Sequence, residues 1–158
     1  ESYMNFCTEQ VQHDLILVWR NPPQELQKEI RKKGLDNRIH FLSNITDTDL
    51  ALLYNGATAM FFPSAYEGFG LPILEAMACG TLVITCRNSS LEEVGGEAAI
   101  YMDECDLKKS MSDLMKRLEN KDIVTENYRN KSIAQAQKFS WEKAAQQYIK
   151  LYQQLLNI

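Results

Sequence analysis

The sequence predicts an α/β fold with a doubly wound parallel sheet, and two observations support this prediction. Five short apolar runs recur along the chain, each of strand length and rich in β-branched or aromatic residues. Segments of helical character separate the runs, and such strand–helix–strand repeats form right-handed crossovers. The runs are LILVW (15–19), RIHFL (38–42), TAMFF (58–62), TLVIT (81–85) and AAIYM (98–102).

Prolines, glycines and capping residues limit the helices between the first four runs. The predicted helices cover residues 23–33, 47–54 and 72–79. Pro72 in a first turn and Gly80 just past an end follow the usual asymmetry of helix termini. Thr46 and Asp47 are cap candidates for the middle helix.

The chain after residue 105 is wholly helical in pattern, with predicted helices over 107–119, 123–138 and 141–156. Asp106 and Ser140 are the expected caps of the first and last of these. Trp141 is expected to be a packing anchor. At the other end, the stretch ESYMNFCTEQVQ (1–12) looks like the inside of a helix, so we expect the chain to be a fragment.

Length and composition indicate one ordinary domain over residues 1–158. The net charge of −4 argues against a nucleic-acid partner. No apolar run approaches the length of a membrane span, and no signal peptide opens the chain. The four cysteines show no CxxC pairing, so we expect reduced core residues in a cytoplasmic chain. No metal-ligand set is visible, and no cofactor is expected.

The loop before the third predicted helix suits an anionic ligand. Loops that follow parallel strands emerge at one edge of a sheet, where ligands bind. Gly68 and Gly70 free the backbone for unusual angles and close approach. The amides of Phe69, Gly70 and Leu71 would then face a helix start, which binds phosphate or diphosphate without a lysine.

Two glutamates flank this loop. Glu75 lies about one turn inside the helix, and its two acceptor oxygens suit a ribose diol. Glu67 precedes the glycines and can accept hydrogen bonds from sugar hydroxyls. The residues alone leave two plainer interpretations open, a surface loop charge for Glu67 and a helix-dipole partner for Glu75. Arg20 and Arg87 follow strands at the same edge, and either phosphate contact or solvation is open for them.

Three stretches together resemble the C-terminal domain of group 1 retaining glycosyltransferases of the GT-B type. The hallmark is a pair of glutamates with seven residues between them, here Glu67 and Glu75. The stretches are PSAYEGFGLPILEAMACGTLVIT (63–85), EEVGGEAAIYMD (92–103) and KFSWEKAAQQYIKLY (138–152). Their order is more specific than the glutamate spacing alone.

The resemblance implies two Rossmann-like domains facing across a cleft, with this chain as the half that holds a nucleotide-diphosphate sugar. By motif, Glu67 would contact the transferred sugar, and Glu75 would bind the ribose. The amides of residues 68–71 would hold sugar and diphosphate. The loop Ser43-Asn44-Ile45 would line the base pocket with its backbone. Transfer to an acceptor hydroxyl would retain the anomeric configuration by front-face substitution, so Glu67 is not assigned as a covalent nucleophile.

The sequence also departs from the family's pattern. The family opens this domain with a strand and a loop whose Arg and Lys grip the diphosphate, and nothing at residues 1–10 matches them. The loop after the first run usually carries glycines, whereas residues 19–23 read WRNPP. An acceptor-binding N-terminal domain is missing as well. We therefore expect the isolated chain to be an inactive donor half-site.

The expected partners are a nucleotide-sugar donor, the missing domain of the same protein, and a carbohydrate or lipid-linked acceptor. Peripheral contact with the inner face of a membrane is open only to the full-length protein. One alternative is a non-catalytic nucleotide- or phosphate-binding module on the same scaffold. A nucleotide-sugar epimerase of related architecture is another, although the EGFGLP and FSW motifs count against it. The donor sugar, the base and the acceptor stay open.

Overall fold

The computed structural model describes residues 1–7 and 11–156 and has parallel strands that alternate with helices, as the apolar runs predict. The strands are β1 (Leu15–Val18), β2 (Ile39–Leu42), β3 (Met60–Phe62), β4 (Val83–Thr85) and β5 (Ala99–Tyr101). The helices are α1 (Ser2–Phe6), α2 (Gln24–Lys32), α3 (Asp47–Gly56), α4 (Leu71–Ala78), α5 (Leu91–Gly95), α6 (Leu107–Glu119), α7 (Glu126–Ala136) and α8 (Trp141–Leu156). Each strand lies inside its predicted run. Of the helix interior predicted over 1–12, α1 is confirmed and residues 8–10 lie outside the described ranges.

The predicted parallel α/β architecture is confirmed, and its sheet has two hydrogen-bonded parts. β1 pairs with β2, whereas β3, β4 and β5 form a separate three-stranded part in that order. All pairs are parallel, with Leu15 opposite Ile39 and Met60 opposite Val83. β1 and β3 therefore each keep one edge with which no described strand pairs. The single continuous sheet that the alternating pattern suggests is interrupted at this point.

The main core surrounds β4, whose residues are fully buried on both faces. α4 packs on this strand through Ile73, Ala76 and Met77, which are also fully buried. A second cluster lies between the β1–β2 part and helices α1, α2 and α6. Phe61 of β3 contacts both clusters, so the two parts of the sheet share apolar packing although they share no backbone hydrogen bonds.

The helix caps form as the sequence predicts. Thr46 caps α3 in a reciprocal capping box, in which its hydroxyl accepts from Asp49 N–H and the Asp49 carboxylate accepts from Thr46 N–H. Asp106 accepts from Lys109 N–H at the start of α6. Ser140 accepts from Lys143 N–H at the start of α8. These caps set where the loops before each helix end.

One expectation about packing is wrong, and another holds only in part. Trp141 is 80% exposed and anchors nothing in the described chain, because α8 has no buried residue. The apolar residues Tyr148, Leu151, Tyr152 and Leu155 of the same helix are exposed as well. The core position expected of the cysteines is confirmed for Cys86 and wrong for Cys105, which is exposed in the turn after β5, while Cys7 and Cys79 are half-buried. Apolar sequence neighbours therefore did not predict burial at these positions.

The Thr46 capping box is expected to stabilise the fold measurably. Thr46→Ala should lower the free energy of unfolding by about 1 kcal/mol, because the Thr46 hydroxyl makes two hydrogen bonds that alanine cannot make. The hydroxyl accepts from Asp49 N–H and donates to the Asp49 carboxylate. The matched control is Thr48→Ala, which changes an exposed threonine two residues further along the same helix. Urea denaturation measures both variants, and an equal loss in the two would contradict the role of the cap.

Candidate functional site

The loops that follow β3, β4 and β5 meet at the carboxyl edge of the three-stranded part. Residues 63–70 connect β3 to α4, and residues 86–90 connect β4 to α5. Hydrogen bonds join the two loops, among them Glu67 N–H to Ser89 Oγ at 3.1 Å. This is the edge at which parallel α/β sheets bind ligands, and the sequence places the glycine loop there.

Gly70 determines how the chain turns from β3 into α4. It is the residue before the helix and has a φ of +95°, a left-handed conformation that favours glycine. A Cβ at this position would lie 2.9 Å from Leu91 Cδ2 of α5, which is too close for ordinary packing. Gly68 differs, because its φ is not positive and a Cβ there would meet no atom within 4 Å. The expectation that both glycines serve unusual backbone angles is thus supported at Gly70 alone.

Four consecutive backbone amides are free at the start of α4. Within the described ranges, no residue accepts a hydrogen bond from the N–H groups of residues 68–71. The next donors are occupied, since Ile73 N–H and Leu74 N–H both donate to Gly70 O, at 3.2 and 3.3 Å. Pro72 has no N–H to leave unsatisfied. The first turn of α4 also carries no acidic residue, so the partial positive charge of the helix start is unopposed there.

Glu67 is half-buried and is held by three serines. Its Oε1 accepts from the Ser64 hydroxyl at 2.8 Å, and its N–H donates to Ser89 Oγ. Its carbonyl oxygen accepts from the Ser90 hydroxyl at 3.0 Å. A mobile surface charge would not have such contacts on both side chain and backbone. The interpretation of Glu67 as a plain loop charge is therefore less well supported than a positioned carboxylate.

Glu75 lies exposed on α4 and faces Tyr54 of α3. Burial together with the nearby Glu75 carboxylate raises the pKa of Tyr54 to about 12. The Glu75 side chain is exposed, so its carboxylate oxygens are accessible to a ligand.

The predicted base-pocket loop, Ser43-Asn44-Ile45, follows β2 in the two-stranded part of the sheet. Asn44 has a φ of +55°, and its Oδ1 accepts from Arg20 Nη2 at 3.3 Å. This contact places the loops after β1 and β2 side by side. Ile45 lines a mainly apolar cavity of about 500 Å³ together with Ile16 of β1 and Leu52 of α3. That this loop binds a base stays a prediction.

Several contacts at the site were not predicted from the sequence. Phe139 of the FSW motif packs edge-on against Phe69, with ring centroids 5.8 Å apart, so the motif supports the glycine loop through Phe139 and not through Trp141. Arg87 binds Glu92 at 3.0 Å and lies over the Tyr101 ring at 4.4 Å. The serines that contact Glu67 belong to no recognisable sequence motif. Their loops follow β3 and β4, and such loops lie at the same edge of a parallel sheet, which makes these contacts possible.

The described residues contain no cluster of metal ligands and no helix that could span a membrane. In residues 1–7 and 11–156, no three His, Cys, Asp or Glu side chains lie together as metal ligands would. Over the same ranges, none of the helices combines the length and the apolar character needed to cross a membrane.

The family described as glycosyl transferases group 1 matches residues 20–139 of the chain. The O-antigen chain mannosyltransferase B of Escherichia coli is 40% identical over 117 residues, which are 74% of this chain and 30% of that protein. The chain spans between 18% and 36% of the length of the curated relatives it matches. The family match includes the glycine loop and both glutamates, and it ends at Phe139, the first residue of the FSW motif.

Two solved structures share the fold. Sucrose-phosphate synthase of Thermosynechococcus elongatus superimposes with a TM-score of 0.81 at 26% identity, covering 99% of this chain and 42% of that one. The C-terminal domain of a group 1 family protein, LpcC, from Francisella tularensis gives a TM-score of 0.73 at 20% identity. That comparison covers 87% of this chain and 74% of the domain.

Substitution of the two glycines of the loop is expected to change stability to different extents. Gly70→Ala should destabilise the fold by about 1–3 kcal/mol, because it places a Cβ in a left-handed residue against Leu91. Gly68→Ala should change stability by less than about 0.5 kcal/mol, since the space around it is open. Urea denaturation of both variants tests this, and equal stabilities would contradict the packing described for Gly70.

Proposed function

Because the chain belongs to the group 1 glycosyl transferases, we propose that it is the donor-binding domain of an enzyme that moves a sugar from a nucleotide diphosphate to an acceptor hydroxyl. The observation that carries the proposal is the row of four free amides at residues 68–71, with one glutamate on each side along the chain. Residues 68, 69 and 71 are exposed, so an anionic ligand can reach this row of donors and satisfy them together.

In this proposal the diphosphate binds to the free amides of residues 68–71. Backbone N–H groups and the partial positive charge at the start of α4 stabilise phosphate oxygens without a lysine. The open space around Gly68 supports this placement, because a ligand can approach the backbone there without meeting a side chain. The same amides would stabilise charge on the leaving diphosphate during transfer.

The two glutamates belong on the neutral parts of the donor. A carboxylate directly against a phosphate would be repelled, so each acid suits hydroxyl groups one step away. Glu75, exposed beside Tyr54, suits the ribose diol, and Glu67, held by the serines, suits the transferred sugar. We assign the base to the loop Ser43-Asn44-Ile45. The resemblance supports front-face transfer with retention, in which Glu67 forms no covalent intermediate.

The remaining parts of the enzyme lie outside this chain in the proposal. An acceptor-binding domain would face the carboxyl edge, and a further strand would pair with the free edges of β1 and β3. The partial coverage of the longer relatives supports both assignments. The name of the Escherichia coli relative makes a mannosyl donor the first one to test, with a carbohydrate or lipid-linked hydroxyl as acceptor.

Isothermal calorimetry of this chain with UDP, GDP and their sugar conjugates tests donor binding. We expect weak binding of a nucleoside diphosphate, and Glu75→Ala should weaken it by about 1–3 kcal/mol through loss of the ribose hydrogen bonds. Glu97→Ala is the matched control, because Glu97 is exposed in the turn before β5, away from the carboxyl edge. No binding by the unmodified chain, or equal losses in both variants, would overturn the proposal.

Glu67 has a separate test in the full-length enzyme. Glu67→Ala should reduce turnover by about 100-fold while the nucleoside diphosphate still binds, because the missing carboxylate contacts sugar and not phosphate. Initial rates with a matched calorimetric titration measure the two effects. An unchanged rate would remove Glu67 from the site. A loss of nucleotide affinity as large as the loss of turnover would show that Glu67 contacts the nucleotide and not the transferred sugar.

A further inference from the structure

Glu67 belongs to the loop after β3, but the groups that hold its backbone come from the loop after β4. Ser89 and Ser90 are consecutive, and they engage the N–H and the carbonyl oxygen of the same residue at 3.1 and 3.0 Å. Ser64 adds the contact with the carboxylate at 2.8 Å. The three polar groups of Glu67 are therefore each fixed by a different serine hydroxyl.

The loop after β4 is itself braced between its neighbours. The side-chain amide of Asn88 donates to Ser64 O and to Glu104 Oε2, both at 3.2 Å, so it connects the loops after β3 and β5. The other oxygen of Glu104 accepts from Arg87 N–H at 2.8 Å. Because both donor hydrogens of the amide are used, the loop has a single preferred position relative to Glu67.

Ser89 adopts an unfavourable backbone conformation to make its contact. Its φ is +45°, in the left-handed region that a residue other than glycine enters at a cost. Gly70 also has a positive φ, but it adopts this conformation without strain because it has no side chain. A serine at such a position retains a hydroxyl where glycine would be the easier choice, and that hydroxyl accepts from Glu67 N–H.

We propose that Ser89 and Ser90, braced by Asn88, are positioning residues that hold Glu67 at the sugar end of the site. This inference rests on the proposed function and deepens it by naming what fixes the sugar-contacting carboxylate. None of these serines has to touch the donor, since they act on Glu67 alone. The free amides of residues 69–71 belong to peptide units that neither serine contacts, whereas the Gly68 N–H shares its peptide unit with the Glu67 carbonyl that Ser90 holds.

The test is the double variant Ser89→Ala/Ser90→Ala in the full-length enzyme. We expect kcat to fall about 10- to 100-fold, because a displaced catalytic group loses its alignment with the substrate. The affinity of a nucleoside diphosphate should stay within about 2-fold, since the phosphate-binding amides are retained. Ser112→Ala is the matched control, as it removes a half-buried hydroxyl on α6 without touching the site.

Three outcomes decide between the explanations. A lower kcat with unchanged nucleotide affinity and unchanged melting temperature supports positioning. An unchanged kcat in the double variant overturns the inference, although nucleotide binding by the unmodified protein would still support the proposed function. If the double variant unfolds, Ser89→Gly decides instead, because glycine adopts the φ of +45° and the change removes only the hydroxyl that accepts from Glu67 N–H. A lower kcat in this variant supports the inference, and an unchanged kcat overturns it.

Discussion

The contact between Gly70 and Leu91 is the constraint on which the candidate site depends. The chain leaves β3 and must enter α4 through a left-handed residue that packs directly against α5. Only glycine satisfies both conditions without strain. This turn leaves the preceding and following amides without acceptors in the described chain, and it puts Glu67 before the turn and Glu75 one helical turn beyond it. The anion-binding character of the site is thus a consequence of local backbone geometry and not of basic side chains.

The two acids are kept in place by different parts of the fold. Glu67 depends on serines from the loop after β4, whereas Glu75 faces Tyr54 of α3. Phe139 packs against Phe69 from the segment before α8, so the far end of the chain supports the same loop. A change at Ser64 or Tyr54 would therefore act on one of the two acids, whereas a change at Phe139 would act on the amide loop itself through Phe69. This separation explains why nucleotide binding and sugar transfer should respond to different substitutions.

Local sequence patterns predicted the elements and their ends well. The apolar runs located all five described strands, and Thr46, Asp106 and Ser140 cap their helices as expected. Features that depend on distant segments were not predictable in the same way. The break between β1 and β3 depends on which strands pair, and the exposure of Trp141 depends on what covers α8. The contacts of Glu67 with Ser89 and Ser90 join residues more than 20 positions apart, and a local sequence pattern cannot predict contacts over that separation.

The central claim is that the amides of residues 68–71 bind a diphosphate, and NMR titration tests it most directly. Backbone ¹H–¹⁵N shifts of the labelled chain would be followed while UDP or GDP is added. The account predicts the largest shifts at Gly68, Phe69, Gly70 and Leu71, with smaller ones near Glu75. Saturable shifts confined to another surface, such as the polar cavity between Gly80 and Arg129, would contradict it.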